Sequence, residues 1–164
     1  MQIADSIDYS APVEDVFTML ATDVFQVSKC RATGALNQHV AIEHNGSSAV
    51  ILTKRTMPTK KFPDFLKSLV GETLLIVQRD IWGAPDAAGG RRGTIVVEVE
   101  GAPIRLQGTL ALTPTGDRCR EDIAGDMKCS IPLLGGRIEK AALPAVQSAI
   151  NAERRVGHDW LHER

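Results

Sequence analysis

The chain has 164 residues, of which 43% are apolar, enough for one hydrophobic core and too few for two. Its formal net charge is −1, with acidic and basic residues mixed along the chain, which argues against nucleic acid as a partner. No apolar run approaches the ~20 residues of a membrane span, and the first ten residues lack a signal-peptide pattern. We therefore expect one cytoplasmic domain over residues 1–164, without stable membrane insertion.

The chain begins with a predicted strand and two short helices. Alternating apolar residues up to Tyr9 indicate the strand. Ser10 is predicted to cap the first helix and Asp23 the second, which ends at Gly34. Three cysteines are an odd number and predict no disulfide framework, so Cys30 is expected to be a free thiol in the second helix.

From Leu36 onward, apolar and polar residues alternate with a period of two, and turn signals separate the runs. Asn45-Gly46 predicts a hairpin. The glycine-rich loop 83–90 and the turn 114–116 separate two later pairs of strands. The simplest topology is six consecutive antiparallel strands after the two helices.

The segment 57–71, "MPTKKFPDFLKSLVG", interrupts these strands and contains too many prolines to continue either neighbour. Its apolar side chains are predicted to lie at the entrance of a cavity, as a short helix or lid: Phe62, Phe65, Leu66 and Leu69. A hydrophobic plug that only closes the core explains the same residues, and the sequence leaves both interpretations open.

The last predicted strand leads into a sharp corner and a long helix. Pro132 and Gly135-Gly136 are predicted to form the corner. A helix from near Gly136 to near Leu161 would be about 37 Å long, enough to cross a sheet of seven strands, and Pro144 should kink it. One face of the strand carries Glu121 among apolar residues, which indicates that the helix covers that face.

The apolar stripe of the predicted helix has alanine in its middle, at positions 142, 145, 149 and 152. Small side chains either let the helix pack closer to the sheet or leave a cavity beneath it. Short side chains cannot fill all the space inside a strongly curved sheet, so we favour the cavity.

These parts, in this order, resemble the START/Bet v 1-like superfamily, which includes polyketide cyclases and lipid-transfer domains. The resemblance rests on "YSAPVEDVFTMLATDVF" at 9–25, the six following strands, and "IPLLGGRIEK" at 131–140 before the terminal helix. "FPDFLKSLVG" followed by "DIWG" is similar to a branch known only as a domain of unknown function. The resemblance implies an α+β helix-grip fold, β-α-α-β6-α, in which a curved seven-stranded antiparallel sheet wraps around the C-terminal helix. It also implies a cavity between them that binds apolar small molecules in many members.

The predicted cavity is lined mainly by apolar side chains of the sheet and the terminal helix: Val97, Val99, Leu110, Ile123, Met127, Ala145, Ala149 and Val156. Arg79 or Glu121, with Tyr9 nearby, is expected to orient a mostly apolar ligand. Arg79 points inward only if the face that it shares with Val77 is the one that meets the helix. A structural salt bridge, or exposure at the edge of the sheet, is the alternative.

Three functions of different classes fit these observations. The first is noncatalytic binding, sensing or transport of a small lipid- or polyketide-like molecule. The second is an enzyme similar to polyketide cyclases or dehydratases, for which Glu121 and Tyr9 are the only titratable candidates. The third is a protein-interaction module, similar to chaperone regulators, that uses the segment around Phe62 and Phe65.

No catalytic motif is recognisable, and no cofactor is predicted. His158 and His162 have a spacing that can bind a metal, but His158 falls on the polar side of the helix and no metal site is predicted. Association into a homodimer stays open.

Overall fold

The computed structural model describes residues 1–163, which form eleven helices and strands. In chain order these are β1 (Gln2–Tyr9), α1 (Val13–Leu20), α2 (Asp23–Ala32), β2 (Asn37–Asn45), β3 (Ser48–Pro58), α3 (Asp64–Val70), β4 (Thr73–Trp82), β5 (Arg91–Val99), β6 (Ile104–Thr115), β7 (Arg118–Cys129) and α4 (Gly135–His162). The predicted α+β helix-grip fold is confirmed, and the interrupting segment 57–71 contains a short helix, α3.

The seven strands form one antiparallel sheet in the order β1-β7-β6-β5-β4-β3-β2. β2 to β7 pair consecutively, and β1 completes the sheet beside β7. The predicted hairpin between β2 and β3 is confirmed, with Asn45 paired to Ser48 and Gly46 at a φ of 63°. Asn-Gly suits such a turn because glycine adopts positive φ without steric cost.

The first two helices begin differently from the prediction. α1 follows Pro12, whose φ of −64° and ψ of 160° hold it in extended conformation, and no side chain caps the helix. Thr22 occupies the cap position of α2, again without a side-chain hydrogen bond, and Asp23 is the first helical residue. The predicted capping roles of Ser10 and Asp23 are therefore wrong. Pro12, two residues after Ser10, occupies the N-cap position because its ring fixes the backbone angle φ there.

The corner before α4 depends on close packing as well as on backbone freedom. The residue with positive φ there is Leu133, at 67°, and it is fully exposed. Gly135 begins the helix so close to β7 that a Cβ atom would lie 2.4 Å from the carbonyl oxygen of Cys129. The α4 helix then continues through Pro144, which faces solvent.

The terminal helix packs mainly against α2, β7 and β1, at one side of the sheet. The main core lies there and includes Tyr9, Phe25 and Trp82, all nearly inaccessible to solvent. A second, smaller cluster joins Leu66 of α3 to Ile138 of α4. The central strands curve away between these two regions and leave space below α4. Within residues 1–163, no helix is long and apolar enough to cross a membrane.

Candidate functional site

A cavity of about 150 Å³ lies between the inner face of the sheet and α4. Eight of the residues predicted to line it are in its wall: Val97, Val99, Leu110, Glu121, Ile123, Met127, Ala145 and Ala149. Phe62 and Leu66, from the predicted lid, are also in the wall. The sequence prediction therefore located the inner faces of β5, β6 and β7 and the inner side of α4.

The alanine stripe of α4 both leaves a cavity and allows close packing, the two outcomes that the sequence allowed. Ala142, Ala145 and Ala149 face the cavity, where their small side chains leave it open. Ala152, one turn further along α4, is 1% exposed and packs closely against its neighbours. The stripe therefore packs closely at one end of α4 and leaves space at the other.

Two of the predicted lining residues, Tyr9 and Val156, belong to the core beside the cavity and not to its wall. The Tyr9 ring lies against Gly157, where an added Cβ would come within 2.6 Å of it. Burial, together with nearby Glu153 and Glu121, raises the pKa of Tyr9 well above its ordinary value. Tyr9 is thus a packing residue and unsuited to proton transfer at neutral pH.

Two residues of the predicted lid also lie outside the cavity wall. Phe65 is half-buried, and the guanidinium carbon of Arg137 lies 4.1 Å from the centroid of the Phe65 ring. Leu69 is exposed and lines a separate cleft of about 330 Å³ on the outer side of α3. Val70 and Leu74 line both spaces, so the α3 region separates the cavity from this outer cleft.

The predicted inward position of Arg79 is wrong, because Arg79 is exposed and the opposite face of β4 points to α4. Trp82 decides this orientation, since its large side chain is 1% exposed. It pairs with Ala49 on one side and Gly93 on the other. A Cβ at Gly93 would come within 2.5 Å of the Ile81 carbonyl oxygen and 3.1 Å of the indole, so Trp82 packs directly against this glycine. The same alternation turns Gln78 and Asp80 inward.

The inward face of β4 brings together a network of polar side chains that the sequence analysis missed, apart from Glu121. It consists of Lys29 (α2), Arg55 (β3), Gln78 and Asp80 (β4), Glu121 (β7) and Glu153 (α4), all of which are in the cavity wall. The rest of the wall is mostly apolar. The cavity is therefore amphipathic, with charge confined to the polar network.

Lys29 and Glu153 form a buried ion pair, with 2.9 Å between Lys29 Nζ and Glu153 Oε2. Burial alone would lower the pKa of Lys29, but the attraction of Glu153 and Asp80 raises it overall. Burial alone would raise the pKa of Glu153, but Lys29 and a hydrogen bond from Glu121 lower it overall. Both groups are thus charged at neutral pH, and each compensates the other.

Glu121 lies beside this pair in surroundings that favour its protonated form. Burial, and then the adjacent negative charge of Glu153, raise its pKa well above the ordinary value. With both carboxyl groups ionised, Glu121 Oε2 and Glu153 Oε1 would have no hydrogen-bond partner. A proton on Glu121 supplies a hydrogen bond from Glu121 to Glu153.

Asp80 is the third buried carboxyl group. Burial raises its pKa from 3.8 to about 6, although Lys29, Gln78 and Arg55 act in the opposite direction. Gln78 Nε2 donates to both Asp80 oxygens at 3.1 Å. Gln78 Oε1 in turn accepts a hydrogen bond from Arg55 Nη1 at 3.2 Å. An acid with such a pKa can hold or release a proton near neutral pH.

Some of these residues left a signal in the sequence. Glu153 follows Ala149 by four positions and therefore continues the inner side of α4. Arg55 follows Ile51 and Thr53 at a period of two, on the buried face of β3. Lys29 lies four positions after Phe25 on the buried side of α2. In each case the pattern indicates a buried position, but it does not indicate which partner compensates the charge there.

Within residues 1–163, no group of three or more histidine, cysteine or acidic side chains is arranged to bind a metal ion. His158 instead contacts the carbonyl oxygen of Asp8, at 3.0 Å from Nε2. The three cysteines are buried and free, as expected for Cys30.

A family model described as "Protein of unknown function (DUF2505)" matches residues 5–161. Among curated protein sequences, none matches this chain. Solved structures give the fold-level comparison.

The protein TTHA0849 from Thermus thermophilus superposes with a TM-score of 0.61 at 14% identity, over 97% of this chain and 95% of the other. The lipid transfer and protein localization domain of human StarD13 has a TM-score of 0.59 at 11% identity, covering 96% of this chain and 76% of that one. The Zhui aromatase/cyclase from Streptomyces sp. R1128 has a TM-score of 0.58 at 12% identity, over 96% and 93% of the two chains. At these identities the likeness shows the fold, which is the one that the START/Bet v 1-like resemblance implied.

Proposed function

This chain belongs to the DUF2505 family and has the START/Bet v 1-like fold, and from that premise we propose that it binds a small, mostly apolar molecule without transforming it. The observation that carries the proposal is the cavity below α4, whose wall is apolar except for the polar network. A lipid transfer domain and an aromatase/cyclase share the fold, which is consistent with a cavity adapted to apolar molecules.

The size of the cavity sets the size of the bound group. Its volume of about 150 Å³ is comparable to that of an engineered apolar cavity that holds benzene. A single ring or a short alkyl chain therefore fits this conformation. The α3 region, which separates the cavity from the outer cleft, is the proposed entrance, and its movement would admit the ligand or a longer one.

The noncatalytic role is preferred because the charged groups of the network largely satisfy one another. Lys29 is paired with Glu153, and Gln78 occupies both oxygens of Asp80. One observation favours the cyclase- or dehydratase-like alternative, namely that Asp80, with its pKa of about 6, is in the cavity wall. Turnover of a polyketide-like substrate that is lost in Asp80→Asn would favour that alternative.

A protein-interaction role has less support. Phe62 and Phe65, which would form the docking surface, are half-buried in the structure. Phe62 faces the cavity and Phe65 contacts Arg137. Neither side chain provides a large exposed apolar patch.

Native mass spectrometry of protein purified without delipidation, with a calorimetric titration of the neutral single-ring probe 3-phenyl-1-propanol, tests the proposal. Ala149→Leu places an isopropyl group in the cavity and should weaken probe binding roughly tenfold or more. Ser148→Leu is the matched control, because it adds a leucine to the exposed side of the same helix and should leave binding unchanged. Wild-type protein that neither carries a ligand nor binds the probe, or an Ala149→Leu variant that binds like wild type, would contradict the proposal.

A further inference from the structure

Arg55 is a buried arginine in the wall of an apolar cavity. The residue is 6% exposed and lies on the inner face of β3, opposite Ile76 of β4. Burial lowers its pKa, but a guanidinium stays charged at any physiological pH. A charge in such a place needs an acidic partner or several hydrogen bonds, because its hydration has been lost.

Beyond the attraction of nearby Asp80, to which Gln78 links it, the structure gives Arg55 little of either. Within residues 1–163, the one hydrogen bond of its guanidinium runs from Nη1 to Gln78 Oε1. Its Nε is buried and has no hydrogen-bond partner among the described residues. In the same part of the chain, no acidic oxygen lies within the 4.0 Å of an ion pair. The edge of the guanidinium formed by Nε and Nη2 is thus without a protein partner.

Arg91 shows how this chain satisfies a buried arginine that serves only structure. It is 3% exposed. Its Nε and Nη2 donate to the two oxygens of Glu14, at 3.0 and 2.9 Å. Its Nη1 donates to the carbonyl oxygens of Ser47 and Gly83. The edge that is free in Arg55 is the one that binds a carboxylate in Arg91.

The other buried polar atoms without a partner do not compete for this role. Those of Tyr9, Gln26 and Thr53 belong to residues outside the cavity wall. Those of Glu121 and Glu153 are accounted for by the proton that the two side chains share. Of the unpartnered groups in the wall, Arg55 is therefore the one left to a ligand.

We propose that the Nε–Nη2 edge of Arg55 binds the carboxylate of an apolar monocarboxylic acid, whose ring or chain fills the cavity. The assignment rests on the proposed function, since it requires a ligand below α4. Two parallel N–H groups match the two oxygens of a carboxylate, whereas a hydroxyl or single carbonyl oxygen would leave one of them unpaired. The apolar wall suits the rest of such a molecule.

The neighbouring acidic groups permit a bound anion. Lys29 neutralises Glu153, and burial beside Glu153 raises the pKa of Glu121 and so favours its neutral form. Asp80 is the remaining acid, and it can take up a proton near neutral pH because burial raises its pKa to about 6. A single carboxylate at Arg55 therefore adds a single charge that the network can balance.

The test compares 3-phenylpropionate with 3-phenyl-1-propanol, which share a ring and chain and differ in the charged group. Calorimetric titration at pH 6.0, where Asp80 can take up a proton, should show the carboxylate binding to wild type roughly tenfold or more tightly than the alcohol. Arg55→Met should abolish this preference while the alcohol still binds. Arg79→Met is the matched control, because it removes an exposed arginine from the adjacent strand, and it should keep the preference.

A second variant guards against misfolding of Arg55→Met. Arg55→Lys keeps the charge but loses the planar edge, and it should reduce the preference without abolishing it. Equal binding of both probes to wild type, or an unchanged preference in Arg55→Met, would overturn the carboxylate site while cavity binding stands. Binding of neither probe would overturn the proposed function, and this assignment with it.

Discussion

Replacing Asp80 with asparagine should make the protein more stable at neutral and basic pH. Asp80 is fully buried, and burial raises its pKa from 3.8 to about 6. Folding therefore favours the protonated acid. The stability that the proton supplies is fully present below pH 3.8 and is lost as the pH rises through about 6. Asparagine resembles the neutral acid, keeps an oxygen that can accept from Gln78, and does not titrate in this range.

The expected gain in unfolding free energy follows from the pKa shift of Asp80. A difference of roughly 2 pKa units corresponds to about 3 kcal/mol at 1.36 kcal/mol per unit. At pH 8, the free energy of unfolding of Asp80→Asn should exceed that of wild type by up to about 3 kcal/mol. At pH 4, the two proteins should differ by less than about 1 kcal/mol.

Urea denaturation at a series of pH values between 4 and 8, followed by tryptophan fluorescence, measures this difference. Glu121 titrates in both proteins, so its contribution largely cancels in the comparison. Asp117→Asn removes a negative charge from an exposed turn and controls for net charge. A difference between wild type and Asp80→Asn that does not change with pH, or a variant that is less stable at pH 8, would refute the reasoning.

Two further substitutions test the interior next to the cavity. Lys29→Met removes the cation that neutralises buried Glu153 and should cost about 3–5 kcal/mol of unfolding free energy, measured by urea denaturation; an unchanged midpoint would show that the pair contributes little. Tyr9→Phe removes a buried hydroxyl that has no hydrogen-bond partner among residues 1–163, so stability should stay the same or rise by about 1 kcal/mol, and binding of 3-phenyl-1-propanol should not change. Weaker binding in this variant would return Tyr9 to the ligand site.

The residues of the polar network are far apart in the sequence, and this explains why the sequence did not reveal the network. Lys29 and Glu153 are separated by 124 positions and meet because α2 and α4 pack together. The sequence alone does not distinguish a charged residue that points into the core from one that is exposed at the edge of the sheet. Only the partner that the fold brings to it decides whether burial is tolerable.

The orientation of β4 shows the same limit on a smaller scale. Both of its faces carry apolar residues, with Leu75, Val77 and Ile81 on one and Leu74, Ile76 and Trp82 on the other. The alternation of apolar and polar residues therefore does not show which face of β4 is the inner one. For this reason the predicted inward position of Arg79 is wrong. In the fold, the inner face is the one that carries the buried indole of Trp82, which packs against Gly93 of the neighbouring strand.

The sequence by itself determined the order of the elements, because that order depends on local signals. Asn45-Gly46 sets a hairpin turn, the period of two marks the strands, and the corner at Pro132 and Gly135 ends the sheet before α4. The alanines of α4 also indicated the cavity. Tertiary structure decided which polar groups face that cavity, and left one edge of Arg55 unpaired there. Burial and charge pairing depend on neighbours from distant strands and helices, and no local pattern encodes them.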